Sequence, residues 1–229
     1  MVTITKNFTT IIEHIPISDV FAIIKNEKSE SESDLESIKK MRQHFEKGEY
    51  AAYDFMKRQL NAFIVTGVYK GPLKDVYLIE SLKEYSKMIC IDYDDIPTDD
   101  LLKVKKVICN SPYTLGCFIS PSGHGLKVIC KVSTDEEYHK MAYQQVMRYY
   151  DKLTGLEADP VCCNITRLCY YSHDPDLYYN PGSDVYSVDM SYTSTQSNLF
   201  VSIEDIKKGA IKQKELDLLS YKECLYERF

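Results

Sequence analysis

Apolar and polar positions follow a helical period in the first part of this chain and shorter, strand-like runs after about residue 61. Leu35, Ile38, Met41 and Phe45 recur at helical intervals and stop at Gly48. Ser33 and Glu36 stand at capping-box spacing, which predicts a helix entered at Ser33. A second helix is expected over residues 49–58. "ISDVFAIIKNE" reads as a shorter helix capped by Ser18, and "KSESESD" reads as a polar linker. The residues ahead of them read as a short extended entry.

Beyond residue 61, "AFIVTGVY", "KMICIDYD", "TLGCFIS" and "GLKVICKV" are rich in branched and aromatic residues and bounded by turn formers, as strands are. A helix follows them. Thr134 and Glu137 form its capping box, Tyr138, Met141, Ala142, Tyr149 and Leu153 its apolar face, and Gly155 its stop. "NITRLCYYS" then reads as a further strand. The pattern predicts an α+β fold, a mixed sheet flanked by helices. Its parts are an N-terminal helical portion over residues 1–60, a core over 61–185, and a linker with a C-terminal helical tail over 186–229.

Composition narrows the function classes. With 229 residues and 44% hydrophobic content the chain can bury a sizeable core. No apolar stretch is long enough to span a bilayer and "MVTITKNFTT" lacks the form of a signal peptide, so a cytoplasmic protein without membrane contact is expected. Cys90, Cys109, Cys117, Cys130 and Cys169 sit in apolar stretches, where reduced thiols pack as small hydrophobes. A net charge of -6 excludes a chain that coats nucleic acid with its whole surface, but not a local basic groove.

The candidate chemistry begins at "MICIDYDDIP", an apolar run that ends in carboxylates. Alternate residues of a strand share a face, so Asp92 and Asp94 point one way and Tyr93 the other. Two neighbouring carboxylates at a buried strand end need a proton or a cation, and a hard divalent ion such as Mg2+ or Mn2+ is the usual partner. The competing reading is a solvated acidic turn that leads through Asp99 or Asp100 into a helix. Downstream, "SPSGHGLKV" is a Gly-rich turn entering a strand. Its backbone N–H groups, with Ser120, Ser122, Gly123, His124, Gly125 and Lys127, could cradle phosphate oxygens, or the turn is simply a tight hairpin. "LEADPVCCNITRLCYYS" adds Asp159 and Arg167. Carboxylates, an anion cradle and an arginine are the components of metal-dependent phosphoryl transfer.

In this order the motifs resemble those of the archaeo-eukaryotic primase superfamily, the primase-polymerase type, and more closely its VirE N-terminal-type domains from bacterial mobile elements and phages. The resemblance covers roughly residues 55–185 and rests on "ICIDYD", "SPSGHGLKV", Asp159, Arg167 and Ser172 in "ADPVCCNITRLCYYS", and "HDPDLYYNP". It implies an RRM-like sheet and a nucleotidyltransferase acting in DNA replication. By the same resemblance Asp92, Asp94 and Asp159 would hold the metal ions, Ser122, Lys127 and Arg167 would bind the triphosphate, and Asp92→Asn would abolish activity without disturbing the fold. Nucleoside triphosphates, single-stranded or primed DNA, and a helicase domain or protein are the implied partners. One departure stands out: catalytic members usually carry a histidine where this chain has Lys127, and a lysine can neither accept a hydrogen bond nor shuttle a proton. A catalytically degenerate domain that binds single-stranded DNA or a nucleotide is therefore the alternative. An unrelated metal-dependent phosphohydrolase is another.

Three weaker signals complete the reading. Cys162, Cys163, Cys169 and His173 lie close in sequence but match no standard zinc spacing. Tyr93, Tyr170, Tyr171, Tyr178 and Tyr179 flank the candidate site and could stack on bases. Lys103, Lys105 and Lys106 could track a nucleic-acid backbone or form a solvated helix face.

Overall fold

A computed structural model describes residues 1–6, 10–25, 32–70 and 81–191. Residues Met1–Val188 form one compact unit, and Asp189–Phe229 a second, whose expected tail helices lie outside the described residues.

The first unit has an α+β fold built on two main sheets. Strands β6 (Met88–Tyr93), β7 (Thr114–Ile119) and β8 (Leu126–Val132) are its centre. β8 pairs antiparallel with β6 along one edge and with β7 along the other. β10 (Tyr178–Tyr179) extends the sheet beside β7, and β11 (Val185–Tyr186) runs parallel to the end of β8, so the sheet is mixed. Helix α4 (Thr98–Cys109) connects β6 to β7, and α5 (His139–Thr154) follows β8.

The period of two decides which side chain meets which layer. Ile89, Ile91 and Tyr93 of β6 and Leu126, Val128 and Cys130 of β8 face Ile108 of α4 and Ala142, Val146 and Tyr150 of α5. On the opposite face Met88, Phe118 and Ile129 pack against the second sheet. That sheet has the order β2 (Thr10–Ile15), β1 (Val2–Lys6), β3 (Ala62–Ile64), β9 (Leu168–Tyr170), with α1 (Ile17–Ile24) against it. Asp92 shares the parity of Met88, so it lies on this inner face.

The N-terminal portion is thus not only helical, because its extended entry is two paired strands. Val2, Thr3, Ile4 and Thr5 are all buried, which marks β1 as a central strand. "AFIVTGVY" is divided into β3 and β4 (Gly67–Tyr69), and β4 pairs with β5 (Leu82–Tyr85) in a small third sheet. "NITRLCYYS" supplies β9 to the sheet of β3 rather than to that of β6.

Helices α2 (Glu32–Glu46) and α3 (Tyr50–Lys57) form a hairpin whose Ile38, Met41 and Tyr53 pack with Leu60 and with Tyr170 of β9. Three expected caps fail. α2 already includes Ser33. The Thr134 hydroxyl is buried without a hydrogen bond, and α5 begins only at His139 after a short 3-10 turn. Ser18 likewise lies inside α1, which Pro16 enters without a side-chain cap. Gly155 does end α5 in the left-handed conformation, with φ 75°.

Candidate active site

The site lies where β6 ends. Asp92 stands directly opposite Lys127 in the β6–β8 ladder, and Lys127 Nζ donates to Asp92 Oδ2. Both side chains are 11% exposed, so this is a buried ion pair. Burial works against the Lys127 ammonium, yet Asp92 outweighs it and holds the lysine protonated well above its usual range. The other oxygen, Asp92 Oδ1, is buried with no hydrogen-bond partner.

Asp159 comes to the same place from a distant part of the chain. Its N–H donates to the Asp92 carbonyl at 2.9 Å. Its Oδ1 accepts from Val161 N at 2.8 Å, capping the 3-10 turn Pro160–Cys163. Tyr143 of α5 fixes the segment by donating to the Asp159 carbonyl at 2.7 Å. The Cys162 thiol lies between the two carboxylates, 3.2 Å from Asp159 Oδ2 and 3.8 Å from Asp92 Oδ2. Burial, and next Asp92, push that thiol far up, so it stays protonated and donates. Arg167 Nη2 lies 3.6 Å from Asp159 Oδ2.

Asp94 follows the strand end and is exposed. Partial desolvation, and next the charge of Asp92, raise its pKa, with Asp159 adding to the effect and Lys127 and Lys57 opposing it. The two carboxylates of "IDYD" and Asp159 therefore share one electrostatic neighbourhood. Tyr93 faces the other way, as alternation requires, and donates to Asp151 Oδ1 at 2.8 Å. Buried in this way, it presents no face to a base.

The Ser120–Gly125 turn borders the carboxylates. Ile96 N donates to the His124 carbonyl at 2.7 Å, and a Cβ on Gly125 would stand 2.4 Å from the Tyr93 carbonyl oxygen. Only glycine permits that approach, because the obstructing atom is backbone. Gly125→Ala is expected to cost about 1–3 kcal/mol by overpacking. A fall in thermal midpoint of roughly 2–4 °C per kcal/mol should report it.

The turn is less open as an anion cradle than its glycines imply. Its N–H groups at Ser120, Gly123 and His124 donate within the turn, to Gly125 O, Ser120 O and Ser122 Oγ. His124 is drawn toward α2, with Nε2 2.6 Å from Glu46 Oε1 and its ring against Phe45. Ser172 donates to Ile119 O at 2.6 Å and accepts from Arg42 at 3.3 Å, which makes it a structural hydroxyl.

Several contributors carry no sequence signal. Arg42 of α2 donates to the carbonyls of Ser120, Pro121 and His173 and ties the turn to the segment after β9. Tyr53 of α3 packs its ring on Phe45, 5.0 Å between centroids, and Phe45 in turn meets the His124 ring of the turn. Lys57, one helical turn on, sets its ammonium over the rings of Tyr53 and Tyr170, 5.4 and 5.6 Å from their centroids. Burial, and next Lys127, lower the Lys57 pKa, while Asp94 and Asp92 oppose this.

The lysines of α4 separate. Lys105 is buried and pairs with Asp174 Oδ2 at 2.6 Å, so it neither tracks a backbone nor forms a solvated face. Lys103 is exposed beside Asp100. The zinc candidates also part company: the Cys169 thiol turns to the Tyr170 carbonyl at 4.0 Å, while Cys162 serves the carboxylates.

Among the described residues no three His, Cys, Asp or Glu side chains, as they stand, form a group that could hold a metal ion. The donor chemistry nonetheless fits a hard cation. The acidic residues offer carboxylate oxygens, and the buried Asp92 Oδ1 has no partner.

No helix among the described residues is long and apolar enough to cross a membrane. No curated protein and no solved structure matches the chain. Residues 55–179, more than half of its length, match the BT4734-like N-terminal domain family, and on that span the chain belongs to this family.

Proposed function

We propose that this domain is a primase-polymerase-type nucleotidyltransferase that takes nucleoside triphosphates and acts on single-stranded or primed DNA. The observation that carries the reading is the meeting of Asp92 and Asp159, 67 positions apart in sequence, through a 2.9 Å backbone hydrogen bond, with Asp94 beside them. Mg2+ or Mn2+ held by Asp92, Asp94 and Asp159 would supply neutralisation of the charge that develops on a transferred phosphoryl group. The chain's own cations serve the substrate. Arg167 presents a planar fork suited to phosphate oxygens, and its 3.6 Å contact with Asp159 is long enough to yield to a ligand. Replication of a mobile element as the setting rests on the resemblance alone.

A second reading has its own support in the Lys127–Asp92 pair. A lysine already neutralising a carboxylate of the site does part of a metal ion's work, which favours a domain that binds nucleotide or single-stranded DNA without turnover.

Incorporation of labelled nucleotides on primed and unprimed templates with Mn2+ separates the readings. Extension is the expected result. Nucleotide binding without extension would favour the second reading, and phosphate release without DNA would replace both by a phosphohydrolase. A chain that neither binds nor turns over nucleotides would overturn the assignment of the site.

A further inference from the structure

The sequence assigns the triphosphate to Lys127, but the structure commits that ammonium to Asp92 inside the fold. A cation that must neutralise a buried carboxylate is a poor phosphate ligand, because leaving Asp92 would strand a charge in low dielectric. A different lysine is placed for the task. Lys57 forms no ion pair with any described residue; its ammonium rests over the Tyr53 and Tyr170 rings and feels the charges of Asp94 and Asp92. The Tyr53 ring packs on Phe45, 5.0 Å between centroids, and Phe45 stands 5.0 Å from the His124 ring, so α3 reaches the glycine turn through one intervening ring. Lys57 is therefore held by rings near the turn and lies within electrostatic reach of Asp94 and Asp92.

We infer that Lys57, delivered by α3 and steered by the rings of Tyr53 and Tyr170, is the lysine that binds the polyphosphate of the nucleotide, while Lys127 remains an internal counter-ion. This rests on the reading of the site as a nucleoside triphosphate site. Electrostatics supports the geometry. An ammonium among rings and partly withdrawn from water loses hydration that a polyanion restores, and the ring faces hold it in one direction. Arg167 approaches from the Asp159 side, so the two cations would hold opposite parts of one anionic chain. The Tyr53 contact precedes the segment that matches the family, so the site includes a residue from outside that span.

The test is calorimetric titration of the full chain with ATP and with inorganic tripolyphosphate, each with Mg2+. Lys57→Met keeps an apolar stem over the tyrosines and removes the charge. It should weaken both ligands by about 10- to 100-fold, the worth of a charge-assisted hydrogen bond. Lys57→Arg should stay within a few-fold of the parent, and Lys103→Met, an exposed lysine on α4, should bind as the parent does. A measurement on the unaltered chain guards against a variant that folds poorly. ATP should protect Lys57 from acylation, read by peptide mass spectrometry, and leave Lys103 reactive. Parent-like binding by Lys57→Met, or acylation of Lys57 unaffected by saturating ATP, would refute the role of Lys57 and leave the site reading intact. If the parent chain bound neither ATP nor tripolyphosphate, the site reading itself would fall, and this inference with it.

Discussion

On the proposed nucleotidyltransferase reading, Asp94→Asn should abolish Mg2+- or Mn2+-dependent nucleotide incorporation while leaving the fold at least as stable as before. In that reading the carboxylates would hold the metal ions, and losing one would remove several kcal/mol of charge stabilisation, a loss of about 10³-fold or more in rate. Stability should move the other way. Folding raises the Asp94 pKa above its unfolded value, first by partial desolvation and next through Asp92. A carboxyl shifted in that direction stabilises the fold only while protonated, and its contribution is lost as pH rises past the unfolded value, near 4. At neutral pH the ionised Asp94 is thus a small burden, reduced by its exposure, and asparagine removes it. Incorporation assays paired with thermal melts at pH 7 check both halves. Near-normal incorporation by the variant would remove Asp94 from the metal-binding set. Asp92 is the less suitable position for this test, contrary to the expectation from sequence, because Asp92→Asn would leave the Lys127 ammonium buried without its partner and disturb the fold as well.

Lys127→Met should have the largest effect on stability. Removing one partner of a buried ion pair leaves the other charge uncompensated, at a cost of about 3–5 kcal/mol. For a chain of this length each kcal/mol shifts the thermal midpoint by roughly 2–4 °C, so the fall should be plain in a melt. The double variant Asp92→Asn, Lys127→Met should recover most of the loss, since exchanging a whole buried pair for uncharged groups is often neutral or better. That recovery distinguishes charge imbalance from lost packing, because a packing defect at Lys127 would persist in the double variant. A single variant as stable as the parent would mean that Asp92 finds its compensation elsewhere.

Much of the inner sheet was legible beforehand. "KMICIDYD", "TLGCFIS" and "GLKVICKV" became β6, β7 and β8, and the helices around Leu35, after Pro97 and before Gly155 are all present. Alternation correctly sent Tyr93 away from Asp92, since the pleat of a strand depends only on neighbouring residues. Helix starts are less legible in the sequence. The hydroxyl of Thr134 bonds nothing, because the chain first makes a 3-10 turn there. The strand "VTITK" was missed as a sheet centre, since its burial on both faces comes from partners at residues 10–15 and 62–64.

Composition and local pattern by themselves determined that this chain folds as α+β, that β6 carries Asp92 near its end on the face opposite Tyr93, with Asp94 just beyond, and that a glycine-lined turn precedes β8. Those are short-range properties, governed by the two- and 3.6-residue periods and by backbone sterics. Only the tertiary structure decided who neutralises whom. The β6–β8 register set Lys127 against Asp92, a backbone hydrogen bond drew in Asp159, and the α2–α3 hairpin delivered Arg42, Tyr53 and Lys57. Charges choose partners by distance and dielectric in space, and neither quantity can be read from positions along a chain.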